Sequence, residues 1–125
     1  MKIIIAGSRE IFDYELLKKF MKKICDQYEI TQVISGNAKG MDKCGEYWAV
    51  EHGIPIVDMP ADWDKHGKAA GPIRNAEMLK ISDLILVIKK TESRGSSHMA
   101  SIAKASGKPT FVYNVDTKKG NKYNV

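Results

Sequence analysis

The residues best suited to chemistry fall in four short stretches, each following an apolar run. Gly7-Ser8-Arg9 follows the first run and Ser35-Gly36-Asn37-Ala38-Lys39-Gly40, with Met41 and Asp42, the second. Pro60-Ala61-Asp62-Trp63 and then Lys65 to Asn75, including Lys68, Gly71, Arg74 and Asn75, follow the third, and Thr91 to His98 the fourth. Glycines let a backbone approach a ligand closely, and N–H groups at a helix start suit an anion. A phosphate or a ribose is the natural guest of the Ser35 to Gly40 loop, although a tight turn without a ligand has the same composition. It is not a P-loop, because no Gly-Lys-Ser/Thr ends it, nor the dinucleotide fingerprint, because the spacing differs. Asp42 either complements a helix dipole or binds sugar hydroxyls or acts as a base. Arg9 either reaches a phosphate or pairs with Asp13 or Glu10 at the surface, and the Arg74 guanidinium can fork onto a phosphate or carboxylate. Trp63, in a polar loop, either packs or stacks on a base. Gly95-Ser96-Ser97 is a second turn suited to an anion.

The elements that must hold these residues alternate in type. Strands are expected at Lys2–Ala6, Gln32–Ser35, Ile54–Met59, Leu84–Ile88 and Thr110–Tyr113. Helices are expected at Asp13–Tyr28, Met41–His52, Pro72–Ile81 and Ser97–Ser106. Asp13 can cap the first helix, whose Leu16, Leu17, Phe20, Met21 and Ile24 form one stripe. Met41, Cys44, Trp48 and Val50 are expected inward on the second, and Pro72 at the first position of the third. Such alternation implies a parallel sheet covered on both faces. The fold class is therefore α/β, a single three-layer Rossmann-like sandwich with a five-stranded, mainly parallel sheet. Ligands of such sheets bind beyond the carboxyl ends of the strands, where all four polar stretches fall. The opposite ends, at Thr31, Pro55, Asp83 and Pro109, carry ordinary turn residues.

Composition bounds the rest. A length of 125 residues fits one domain, residues 1–116, followed by a basic C-terminal tail, 117–125, expected to fray. Twenty Lys and Arg against fifteen Asp and Glu leave a net charge of +5. Without the three tail lysines it is +2, which is not the dense basic face of a nucleic-acid binder. No apolar run approaches the ~20 residues of a membrane helix, and the first residues do not read as a signal peptide. Cys25 and Cys44 make neither a metal spacing nor a disulfide framework; both read as buried thiols of a reduced, cytoplasmic protein. His52, His66 and His98 form no metal cluster, and neither a metal nor a cofactor is expected.

With these stretches assembled, the chain resembles the SLOG superfamily, specifically its YspA-like branch, whose small members occur in phage and bacterial genomes. The matching residues are Ala6 to Arg9, Ser35 to Asp42, Pro60 to Trp63 and Gly67 to Asn75. The resemblance implies a Rossmann-like fold with a pocket for a nucleotide or nucleotide-derived ligand. Its relatives include phosphoribohydrolases, single-strand DNA-binding proteins and sensors of nucleotide signals. The phosphoribohydrolases look like Gly-Gly-x-Gly-Thr-x-x-Glu at the fourth strand exit, where this chain reads Arg94-Gly95-Ser96-Ser97-His98-Met99-Ala100-Ser101. The double glycine and the acid are missing. Ser35 also stands where many relatives carry His.

The function read from the sequence is binding or sensing of a nucleotide-like small molecule. The expected site is Gly7, Ser8, Arg9, Ser35, Gly36, Asn37, Ala38, Lys39, Gly40, Asp42, Asp62, Trp63, Lys68, Gly71, Arg74, Asn75, Gly95, Ser96 and Ser97. An N-glycosidic hydrolase is the alternative, with Asp42 and Asp62 as its candidate carboxylates. Single-stranded DNA binding is the second, and nucleic acid is the poorer fit as a partner because the site offers one aromatic. A homodimer is expected from Tyr47, Trp48 and Met78, large apolar groups in excess of what two sheet faces need.

Overall fold

The computed structural model describes residues Met1–Val125. In chain order the elements are β1 (Lys2–Gly7), α1 (Tyr14–Gln27), β2 (Gln32–Ser35), α2 (Met41–Glu51), β3 (Ile56–Asp58) and the short α3 (Trp63–His66). A 3-10 turn at Gly67–Ala69 leads into α4 (Ala70–Ile81), β4 (Leu84–Lys89), α5 (Arg94–Ala105), β5 (Thr110–Asn114) and β6 (Lys119–Tyr123). The strands form one sheet in the order β3-β2-β1-β4-β5-β6. All neighbours run parallel except β5 and β6.

Alternation along the strands builds the two faces. Ile3 and Ile5 of β1 and Leu84, Leu86 and Ile88 of β4 point to one side, where Leu17, Met21 and Ile24 of α1 and Met41, Cys44 and Trp48 of α2 cover them. Ile4, Ile85 and Val87 point to the other, against Met78 of α4 and Met99 and Ala103 of α5. β1 and β4 are thus buried on both faces, which is why they read as unbroken apolar runs. The Asp13 side chain accepts from the Leu16 N–H at 3.1 Å and fixes the start of α1.

Several expectations need correction. The sheet has six strands, not five. The tail expected to fray forms β6, antiparallel to β5, with Thr110 opposite Tyr123 and Asn114 opposite Lys119. Its sequence Lys-Gly-Asn-Lys-Tyr carries no apolar period because the strand is held by backbone pairing at an exposed edge, where lysines suit an edge that must not recruit another. Asn124 anchors the end by donating to the Lys104 and Lys108 carbonyls at 2.9 and 3.0 Å. α4 begins at Ala70, so Pro72 is third in the helix; its missing N–H lies within the first turn, where no intrahelical acceptor exists. α5 begins at Arg94 rather than Ser97. Val50 is exposed rather than inward, and so is Cys25, while Cys44 is buried. No helix is long and apolar enough to cross a membrane.

Candidate functional site

The chain lays down β1 at the centre of the sheet, builds outward to β3, and returns to place β4 on the other side of β1. Strand order therefore reverses between β1 and β4, and the loops leaving these two strands diverge. A crevice at such a point is where open α/β sheets bind ligands. Here a cavity of about 290 Å³ opens at that place. It is lined by Ala6 to Glu10 after β1, Gly36, Ala38 and Asp42 around the start of α2, and Trp63 of α3. Gly71, Arg74, Asn75 and Met78 of α4, with Lys90 and Glu92 to Ser96 after β4 and Met99 of α5, complete it.

Ser8 joins three of these segments. Its N–H donates to the Ile88 carbonyl at 3.2 Å and its Oγ accepts from the Lys90 N–H at 2.9 Å. Its carbonyl receives the Met41 N–H at 3.3 Å. That last bond brings the start of α2 so near β1 that only glycine fits at position 40. Gly40 has φ of 74°, and a Cβ there would meet the carbonyl oxygens of Ser8 and Arg9.

Arg74 is half-buried and reaches back to the loop after β2. Its Nη1 donates to the Gly36 carbonyl at 2.7 Å, and its Nε donates to Asn75 Oδ1 at 3.1 Å. Asp42 is only 4% exposed. Burial pushes its carboxyl above the ordinary carboxylate range; the Ala38 N–H, the Arg74 guanidinium and the Gly7 N–H oppose that shift. Arg74 is pushed down by burial, with Asp42 opposing and Arg9 adding to the effect. No ion pair within 4.0 Å forms between Asp42 and Arg74; the two flank the space that the missing Gly36 side chain leaves open. A Cβ on Gly36 would sit 2.5 Å from Arg74 Nη1 and 2.9 Å from Asp42 Oδ2.

Asn75 is buried with its amide fully used. Besides accepting from Arg74, its Nδ2 donates to the Gly95 carbonyl and to His98 Nδ1 at 3.1 and 3.2 Å, which ties α4 to the start of α5. Ser93 precedes α5 without capping it through its side chain, so the helix presents first-turn N–H groups beside Ser96. Trp63 is half exposed, with its ring edge over Gly71.

Of the expected site, the cavity brings together Gly7, Ser8, Arg9, Gly36, Ala38, Asp42, Trp63, Gly71, Arg74, Asn75, Gly95 and Ser96. Ser35, Asn37, Lys39, Gly40, Asp62, Lys68 and Ser97 lie outside its lining. Ser35 Oγ donates to Glu46 at 2.8 Å and accepts the Asn37 N–H at 3.1 Å, so it serves the far side of the loop. Asn37 accepts from Lys43. Asp62 caps α3 by accepting the Lys65 N–H at 3.0 Å, which takes one of the two candidate carboxylates away from the cavity. Sequence reasoning missed Glu10 and Lys90, and it placed Glu92, Ser93 and Arg94 in the fourth polar stretch without assigning them to the site, although all five line the cavity. Lys90 is the first residue past β4 and Glu10 directly follows Arg9, so position relative to a strand exit was the signal available.

Comparison with known proteins follows the same segments. The model of the YspA, cpYpsA-related SLOG family matches residues 1–66, just over half of the chain. That span holds β1, the Ser35 to Asp42 loop and Trp63, and ends before α4. The chain is also similar to the Gene 61 protein of Mycobacterium phage D29, at 34% identity over 87 residues covering 65% of this chain and 70% of the relative. No solved structure matches significantly.

Proposed function

The chain belongs to the YspA, cpYpsA-related SLOG family, and from that premise we propose that it binds or senses a nucleotide or nucleotide-derived ligand in the cavity between β1 and β4. The observation that carries this reading is the composition of that one cavity. It holds Arg9, Arg94, the donors that Arg74 does not spend on Gly36 and Asn75, and the uncapped start of α5 for a phosphate, together with a buried carboxylate, Asp42, and a half-exposed indole, Trp63. Anions are favoured at a helix start by its N–H groups and dipole, and by guanidinium forks. Asp42 is suited to ribose hydroxyls and Trp63 to the base. A cavity of about 290 Å³ falls just under the roughly 300–1,000 Å³ of small-molecule sites, and suits one nucleotide rather than two.

Calorimetry with adenosine, adenosine 5′-monophosphate and inorganic phosphate tests this. The reading expects the nucleotide to bind tighter than either part; binding of none of them, or equal binding of nucleoside and nucleotide, contradicts it.

Hydrolysis of the N-glycosidic bond is the rival. It is served in the cavity by Asp42, but Asp62 is committed to capping α3. The reading therefore has the ligand bound without rapid turnover, and nucleoside monophosphates staying intact over hours. Release of free base at many turnovers per minute, abolished by Asp42→Asn, would replace binding with catalysis. The same proposal has two copies pairing through Phe12, Tyr47 and Val50, which are exposed, whereas Trp48 and Met78 are spent in the core. Light scattering near 14.0 kDa at all concentrations would remove the dimer.

A further inference from the structure

Four cations and three carboxylates line the cavity, yet within 4.0 Å only two of them pair with each other: Lys90 Nζ lies 3.0 Å from Glu10 Oε2. The two come from the loops leaving β4 and β1, the strands between which the order reverses, so their ion pair spans the crevice. We propose that Glu10 is a built-in competitor for the ligand's phosphate, holding Lys90 across the crevice until the phosphate displaces it. This rests on the reading of the cavity as a nucleotide site and adds to it a phosphate-binding lysine and the residue that sets how strongly an anion must pull.

The geometry of Lys90 suits this exchange. Its backbone is fixed, because its N–H donates to Oγ of the buried Ser8 at 2.9 Å. Its ammonium, at the end of a flexible four-carbon stem, is exposed, as is Glu10. Exposed ion pairs hold weakly, since water screens them and two long side chains must be kept in register. A phosphomonoester brings close to two negative charges and three acceptor oxygens against the single charge of Glu10. Such a group wins Lys90 from Glu10, whereas an uncharged nucleoside leaves the pair intact. Glu10, by its hydrogen bond and its charge, also tightens the hold of Lys90 on its proton. Arg9 and Arg94, with no carboxylate within 4.0 Å, are free to meet the anion first.

Binding of adenosine 5′-monophosphate and of inorganic phosphate to four proteins tests the proposal: wild type, Glu10→Gln, Lys90→Ala and the double variant. Both positions are exposed, and thermal unfolding checks that each variant folds. Glu10→Gln is expected to tighten binding about two- to five-fold, the scale of an exposed pair. Lys90→Ala is expected to weaken it, and in that background Glu10→Gln should change nothing, because Glu10 acts through Lys90. Equal tightening in both backgrounds means simple charge repulsion and overturns the proposal. Weakening by Glu10→Gln makes Glu10 a ligand contact and also overturns it. If wild type binds neither probe, the anion site fails together with its competitor, whereas wild-type binding without the non-additive pattern leaves the nucleotide reading standing and removes only the role of Glu10.

Discussion

Arg74 donates from Nη1 to the Gly36 carbonyl oxygen at 2.7 Å, and so clamps the first turns of α4 onto the loop that leaves β2. The contact exists because position 36 has no side chain: a Cβ there would lie 2.5 Å from the same Nη1. Gly36→Ala is therefore expected to push Arg74 or Asp42 out of place, at a cost of about 1–3 kcal/mol as for other overpacked sites. Urea unfolding should show the loss together with weaker nucleotide binding. An unchanged midpoint would mean that the loop yields without strain.

Arg74→Ala should lower ligand affinity by about 1.5–3 kcal/mol, as for a charge-assisted hydrogen bond. A ligand-facing arginine alone would leave folding untouched. The bonds to Gly36 and Asn75 add a structural role, so stability should fall as well, by about 1 kcal/mol. Weakened binding with a wild-type urea midpoint would show that those bonds contribute nothing to the fold.

The pH dependence of stability should carry the mark of Asp42. Its folded pKa is raised above 3.8, mainly by burial. Below 3.8 the folded and unfolded chains both hold this proton and there is no penalty. Between 3.8 and the folded value the folded chain keeps a proton that the unfolded chain has lost, so stability falls as pH rises. Above the folded value the full penalty persists. Asp42→Asn removes this titration, and its stability relative to wild type should rise with pH across that window and then level off. Urea unfolding of both proteins from pH 3.5 to 7 measures this; a difference independent of pH would contradict the burial of an ionisable Asp42.

Trp63 stands apart from Trp48, which is buried and stacked on His52 with ring centroids 4.4 Å apart. Trp63→Ala is expected to weaken nucleotide binding by about 1–3 kcal/mol, the worth of one base on an aromatic. Binding of inorganic phosphate should stay within about two-fold of wild type. Equal loss for both probes would make the indole a packing group over Gly71.

What could be read before folding, and what could not, follows from the forces involved. β1 and β4 were legible because burial on both faces demands unbroken apolar runs, and α1 because Asp13 and its stripe are local signals. β6 was not, since edge pairing through backbone groups asks nothing of its side chains. The glycine-rich strand exits located the cavity, but a loop has two sides. Nothing in the spacing of Ser35 to Asp42 tells that Gly36, Ala38 and Asp42 turn inward while Ser35 and Asn37 turn to Glu46 and Lys43. Lys90 and Glu10 look like solvated surface in a sequence; only the sheet order sets them 3.0 Å apart.

A nucleotide bound in the crevice between β1 and β4 should perturb the backbone amides that line it. Amide chemical-shift mapping during titration with adenosine 5′-monophosphate tests this most directly, with the Trp63 indole N–H as an added probe. Saturable shifts should concentrate at Gly7 to Glu10, Gly36 to Asp42, Gly71 to Asn75 and Lys90 to Ser96, and in Arg74→Ala should need at least about ten-fold more nucleotide to saturate. The second cavity, about 320 Å³ between α1 and β5–β6 and lined by Phe20, Lys23, Phe111 and Lys122, should stay silent. Shifts confined to that second cavity, or none at millimolar nucleotide, would contradict the account.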